Sequence, residues 1–412
     1  MPCWKKFNRI LNNAPAVAAE LREEDLVSEY VLDYVEHMLD QWPAGMGAYT
    51  ESRGPLFIRE AICRFIDKRD GVSAAGLIPA DPEGIFLTEG ASEGVRLILE
   101  MMITGPSDGI MIPIPQYPIY SATIARCGGT QIDYYPDEDC DWCLERSELE
   151  TSYQKAVKNG VNVRAIVVIN PGNPTGAILD EKSGREIVSF ARSHGLAILA
   201  DEVYQENLYG AEWTSLAKLV GEEDVTLFSL HSTSKGFYGE CGHRGGYVEV
   251  RNPPEVEDSD STFMDLLLKQ ASVRLCSNTV GQALMYTVVN PPEEGSEPWA
   301  KYAAEKEAIL DDLYQKAVMV RKSFDDMAGV ESFGRIGALY HFPRLNGLPE
   351  GTTDFDYCMA LLEATGLVTV NGSGFGQKPG TQHLRIAFLP PKEMLEEVLP
   401  EWITFHNSYV SV

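Results

Sequence analysis

Four short stretches, GIFLT (84–88), AIVVIN (165–170), LAILADE (196–202) and VTLFSL (225–230), are almost continuously apolar. A strand with one wet face alternates apolar with polar residues, so an unbroken run needs cover on both faces. Amphipathic stretches separate these runs. Ala91 to Met102 and Asp180 to Ser193 read as helices, the second with Ile187, Phe190 and Ala191 on one side. That alternation predicts an α/β fold, a mainly parallel sheet held between helical layers. Such sheets bind ligands just beyond the carboxyl ends of their strands.

The texture changes near residue 290. NPPEEGSEP (290–298) is a breaker, a long polar helix is expected from Trp299 to about Met327, and short strand candidates such as ALYHFP and HLRIAFL follow. A chain of 412 residues also exceeds one ordinary core. We therefore expect a large sheet domain over 46–290 and a smaller α+β domain from 1–45 with 291–412. Glu23 to Leu39, a helical pattern cut off from the sheet runs, is grouped with the smaller domain.

Composition narrows the function classes. Hydrophobic residues at 44% and charged residues at 23% suit a globular enzyme. With 61 acidic against 34 basic side chains the net charge is −27, which disfavours nucleic acid and anionic membrane surfaces as partners. No apolar run approaches the roughly 18 residues of a membrane span. MPCWKKFNRIL has no continuous apolar core, so no secretory leader is expected, and a cytoplasmic setting is the expectation, with an organelle left open. Cys3, Cys63, Cys127, Cys140, Cys143, Cys241, Cys276 and Cys358 are scattered as in a reducing compartment. Cys140 and Cys143 form a C-x-x-C, but no matching soft ligands accompany them, so no metal is expected.

The chemistry gathers at the ends of the apolar runs. Lys235 follows Ser232, Thr233 and Ser234 in HSTSKGF, and Gly236 lets the chain turn. At the mouth of an apolar sheet beside other cations, an ammonium is disfavoured and the amine can attack a carbonyl. AIVVIN leads into PGNPTG, which presents Asn173; LAILA leads into Asp201, with Tyr204 three residues on. EGASEG opens a helix whose free N–H groups suit a phosphate, and Arg244 in ECGHRGG can grip one with two hydrogen bonds. Taken singly, Lys235 reads as a surface lysine and Asp201 as a helix cap. Taken together, these groups describe a pocket for a phosphorylated aromatic aldehyde with a ring nitrogen.

NPGNPTG, ADEVY, HSTSKG and HRGG, in this order and spacing, resemble the fold-type-I aminotransferases that use pyridoxal 5′-phosphate. IPIPQYPIYSAT, LADEVYQENLY and GSGFGQ…HLRIAFLPP draw the likeness toward the alanine aminotransferase branch, from about Met46 to Pro391. The resemblance implies a seven-stranded sheet and transfer of an amino group from L-alanine to 2-oxoglutarate. Lys235 would carry the cofactor and shuttle the α-proton. Asp201 would pair with the ring nitrogen, and Tyr204 with Asn173 would meet the ring oxygen. Tyr117 would stack on the ring. Gly90, Ala91, Ser92, Ser232 and Arg244 would hold the phosphate, and Arg385 with Asn173 the substrate carboxylate. Tyr49 would reach the phosphate of a neighbouring subunit, which implies a homodimer.

Departures are visible. MPCWKKFNRIL does not resemble the family's substrate-closing arm, so a pocket open to water and a reduced turnover are expectations, as is a silent cofactor-binding homologue. Asn371 stands where relatives carry proline, a place where asparagine tolerates the turn. Arg274 lies near the family's distal-carboxylate site without matching its spacing. His231 and His243 are expected to be structural. Glutamate:glyoxylate transamination shares the same motifs and is the alternative activity.

Overall fold

The computed structural model describes residues 28–221, 224–256 and 259–411. The start of the expected 23–39 helix and the whole MPCWKKFNRIL segment lie outside the described residues. Seven strands form a sheet in the order β1-β7-β6-β5-β4-β2-β3. They are β1 (Ile85–Thr88), β2 (Asp108–Pro113), β3 (Thr130–Tyr134), β4 (Asn162–Ile169), β5 (Ala197–Asp201), β6 (Leu227–Ser232) and β7 (Gly246–Arg251). β2 runs parallel to β3 and β4, and β4 parallel to β5, while β1 pairs antiparallel with β7. The expected mainly parallel α/β sheet is therefore present, with an antiparallel edge. The chain divides into two compact units, 1–97 with 230–307 and 98–229 with 308–412.

In the first unit, helix α1 (Glu29–Gln41) buries Val31, Leu32, Val35 and Met38. These pack with Ile58, Ile62 and Ile66 of α2 (Leu56–Asp70) and with Leu284 and Met285 near the chain's later helical stretch 279–289. Full burial of one such leucine stabilises by about 1.5–3 kcal/mol. α2 stops at Gly71, whose φ of 65° suits the left-handed cap, with Lys68 and Arg69 in the last turn opposing the helix dipole. Helix α3 (Ala91–Met102) follows β1 after a two-residue turn.

In the second unit, every residue of β5 and the stretch Ala165–Ile169 of β4 are buried, which is why both runs carry no polar alternation. Their cover includes α5 (Glu181–His194), numbered after α4 (Ile119–Cys127), through Ile187, Val188 and Phe190. Asp180 caps α5 by accepting from Ser183 N. A separate core joins Val320, Phe324, Tyr357, Leu361, Leu384, Phe388 and Trp402. Beside it β9 (Tyr340–His341), β11 (Val370–Asn371) and β12 (Leu384–Ala387) make an antiparallel sheet, with Ala387 opposite Tyr340 and Arg385 opposite Val370. β8 (Val330–Glu331) and β10 (Arg344–Leu345) pair nearby in sequence.

Among the described residues the cysteines are free thiols and no cluster suits a metal ion. Burial and the neighbouring Cys140 thiol push the Cys143 thiol up to about 12, which makes it a poor nucleophile. No described helix is long and apolar enough to cross a membrane.

Candidate active site

In the unit of 1–97 and 230–307, the end of β6 runs into a pinned turn. Ser232 Oγ accepts from Ser234 N at 3.1 Å and donates to the Gly245 carbonyl at 3.2 Å. Thr233 N donates to the same carbonyl at 3.0 Å. The turn thus leaves Lys235 half-buried at the lip of the strand, and Gly236 follows with a φ of 68°.

Arg244, in the same unit, is fixed by three hydrogen bonds. Its Nη2 donates to the Glu89 carbonyl at 2.7 Å and to Ser92 Oγ at 3.1 Å, and Nη1 donates to the Cys241 carbonyl at 2.9 Å. The guanidinium therefore sits against the start of α3, whose first-turn N–H groups have no intrahelical acceptor. Gly90 has a φ of 80°, and a Cβ there would come within 2.6 Å of Arg244 Nη2. Gly246 is equally constrained, since its Cβ would meet Gly90 Cα at 2.7 Å. Two glycines, an arginine, serines and a helix start form a donor cradle suited to a dianion. Ala91 is the first residue of that helix. Tyr49 is 80% exposed, and Arg274 ion-pairs with Glu93 at 2.6 Å.

His231, inside β6, is buried between Phe65, stacked at 6.1 Å, and Tyr247, edge-on at 5.5 Å. Burial, helped by Arg69, pulls it down to about 3, so it is neutral at pH 7. His243 pairs with Glu240 at 3.0 Å.

In the unit of 98–229 and 308–412, Asp201 ends β5 and is buried. Its Oδ2 accepts the Tyr120 hydroxyl at 2.7 Å. Burial and the Asp201 charge push the Tyr120 phenol well above its usual range, so it remains a donor. Asn173 joins two further groups. Its Nδ2 donates to Tyr204 Oη at 3.2 Å, and its Oδ1 accepts from Arg385 Nη1 at 3.0 Å. Tyr204 donates to Tyr340 Oη at 3.3 Å. Burial, then the Tyr340 hydroxyl, hold Tyr204 well above a free phenol, while Arg385 opposes them.

The half-buried Arg385 also lies against two aromatic rings, 4.3 Å from the Tyr340 centroid and 4.6 Å from Phe375. With Asn173 at its edge and rings at its faces, the guanidinium has little freedom, which suits recognition of a planar carboxylate. Tyr117 is 46% exposed in the turn before α4, and the neighbouring Gln116 N donates to the Phe375 carbonyl at 2.9 Å.

This unit brings Asn173, Tyr204 and Arg385 together as expected and adds three residues that sequence reasoning missed. Tyr120 stands three positions after Tyr117 in QYPIY, and nothing local distinguishes the two phenols. Tyr340 and Phe375 lie in ALYHFP and GSGFGQ, where only their proximity to the arginine reveals a role. Within its own unit the donor cradle suits a phosphate, and within its own unit the buried carboxylate with its neighbouring phenols suits a hydroxylated pyridine ring.

A family model described as "Aminotransferase class I and II" matches residues 33–400. Over 413 residues the chain is 42% identical to alanine aminotransferase 1, mitochondrial, of Arabidopsis thaliana, covering 96% of this chain and 74% of that protein. It is 41% identical to glutamate–glyoxylate aminotransferase 1 of the same plant, over 91% of this chain and 79% of that protein. Among solved structures, an alanine aminotransferase from Pyrococcus furiosus superposes with a TM-score of 0.76 at 26% identity, over 90% of this chain and 87% of that one.

Proposed function

The chain belongs to the class I and II aminotransferases, which are pyridoxal-phosphate-dependent enzymes, and on that premise we propose that it moves the amino group of L-alanine to 2-oxoglutarate, giving pyruvate and L-glutamate. The observation that carries the proposal is Asn173, whose one amide bonds Arg385 at 3.0 Å and Tyr204 at 3.2 Å. A grip for an α-carboxylate and a phenol for a ring oxygen are thereby set at one fixed spacing, the arrangement that a substrate joined to the cofactor demands.

When bound, pyridoxal phosphate supplies an electron sink for the pair left behind as the substrate loses its α-proton. The chain's own groups do the rest. Lys235 would hold the aldehyde carbon through its amine and would serve as the base for the substrate's α-proton. Asp201, oriented by Tyr120, would pair with the ring nitrogen and hold its proton. Tyr204 with Asn173 would meet the ring oxygen, and Tyr117 would stack on the ring. Gly90, Ala91, Ser92, Ser232 and Arg244 would hold the phosphate. Arg385 with Asn173 would fix the substrate carboxylate. Both half-reactions use the same groups in turn.

Further parts of the proposal concern assembly and setting. Tyr49, exposed in the single chain, reaches the phosphate of a second copy in a homodimer. Residues 46–290 serve as the cofactor domain and 1–45 with 291–412 as the small domain. The free thiols suit a cytoplasmic setting. The likeness to a glutamate–glyoxylate aminotransferase supports one second reading, in which glyoxylate is the amino acceptor. A donor and acceptor panel tests both: alanine with 2-oxoglutarate turns over fastest under the first, glutamate with glyoxylate under the second. If neither pair changes the cofactor spectrum, the proposal fails.

A further inference from the structure

We propose that Tyr340 is a positioning residue that couples the grip on the substrate carboxylate to the phenol at the cofactor's ring oxygen. The proposal rests on the roles assigned above to Arg385 and Tyr204 and deepens them.

Tyr340 is held by its surroundings rather than by the site. Its neighbour Ala338 donates N–H to the Asn207 carbonyl at 3.0 Å, and the Ala338 carbonyl accepts the Tyr209 hydroxyl at 2.8 Å. On the other side, the His341 ring nitrogen Nε2 bonds the Ala317 carbonyl at 2.8 Å. The Tyr340 carbonyl is packed so closely on Gly176 that a Cβ there would lie 2.8 Å away. Strand pairing sets Ala387 opposite Tyr340, so Arg385 is its diagonal neighbour across the ladder, within reach of an aromatic ring.

From this fixed base the side chain does two things. Its ring braces the Arg385 guanidinium at 4.3 Å, and its hydroxyl meets the Tyr204 hydroxyl at 3.3 Å, the two rings standing at 80°. The hydroxyl contact has a consequence for hydrogen counting. Tyr204 owns one hydrogen and gives it to Tyr340, while its oxygen already accepts from Asn173. A ring oxygen on the cofactor needs that same hydrogen. Tyr340 can then rotate its own hydrogen toward Tyr204, so both phenol oxygens stay satisfied and the Tyr204 donor is strengthened. Phenylalanine keeps the brace and loses this exchange. Leucine loses both.

The test uses the holoenzyme and the variants Tyr340→Phe and Tyr340→Leu, with 2-methylalanine as a probe that offers amine and carboxylate but no α-proton. Tyr340→Phe is expected to bind the probe within about twofold of wild type. The pH midpoint of its visible cofactor band rises, because the ring-oxygen anion loses stabilisation, and kcat falls about three- to tenfold. Tyr340→Leu shows the same rise and also binds the probe about tenfold more weakly. If the leucine variant melts early, Tyr340→Met, closer in volume to the ring, reads the same arm. The proposal is overturned if both variants keep the wild-type midpoint, or if removing the ring leaves the probe's affinity at the Tyr340→Phe value. A wild-type protein with no cofactor band and no affinity for the probe overturns the functional reading itself, independently of Tyr340.

Discussion

The Tyr120 hydroxyl donates to Asp201 Oδ2 at 2.7 Å with both side chains buried. A hydrogen bond to a buried carboxylate stabilises by about 1.5–3 kcal/mol, and here it also fixes which way the second oxygen faces. Tyr120→Phe leaves Asp201 charged but less firmly oriented. Transamination rate should fall about tenfold with the fold intact, whereas Asp201→Ala should cost several orders of magnitude by removing the charge opposite the ring nitrogen. Single-turnover kinetics on the two variants check this ordering. Equal losses would contradict it.

In the proposed mechanism Lys235 has a role that no neighbour can assume. Borohydride treatment of the holoenzyme should leave a mass tag on the peptide containing Lys235, and Lys235→Ala should lose both the tag and transamination. Retained activity within about tenfold of wild type would overturn the assignment.

Arg385→Lys separates recognition from chemistry. An ammonium cannot reproduce the planar fork that meets Asn173 Oδ1 at 3.0 Å and lies 4.3 and 4.6 Å from the Tyr340 and Phe375 ring centroids. KM for alanine should rise by roughly tenfold to a hundredfold, with a smaller change in kcat. Steady-state kinetics with alanine as the varied substrate measure the split.

Gly90→Ala introduces a Cβ 2.6 Å from Arg244 Nη2 on a backbone at φ 80°, so the guanidinium must leave the start of α3. Cofactor affinity should fall at least about tenfold, measured by equilibrium dialysis, while the melting temperature of the cofactor-free protein changes less.

Much of the fold was legible because double burial leaves a mark. AIVVIN falls in β4 up to Ile169 and LAILA in β5 from Ala197, and the helix read from Asp180 to Ser193 runs from Glu181 to His194 with Asp180 as its cap. The antiparallel edge was not legible, since β1 and β7 pair across more than 150 residues and no local period records a partner's direction. Asn173, Tyr204 and Arg385 were readable through motifs. Tyr340 was not. It opens a two-residue strand, too short for a period of two to assert itself, and its function depends on an arginine in another strand. Tyr120 likewise becomes distinct from Tyr117 only in the folded chain, where it is buried and bonded to Asp201.

His231 supplies a pH dependence that does not involve catalysis. Burial holds it near 3 in the folded protein, while an unfolded chain has its histidine near the ordinary 6.5. Between those values the unfolded state binds the extra proton, so stability rises with pH: its contribution is complete above about 6.5 and is lost as pH falls toward 3. His341, held down to about 4 mainly by burial, adds a second proton over the upper part of that window. Each group contributes a slope of about 1.4 kcal/mol per pH unit. His231 stands in an aromatic site beside Phe65 and Tyr247, so phenylalanine can occupy it without a charge change. The melting temperature of His231→Phe between pH 6 and 4.5 should therefore fall less steeply than that of the wild type. Parallel curves would mean that the ring does not titrate on unfolding.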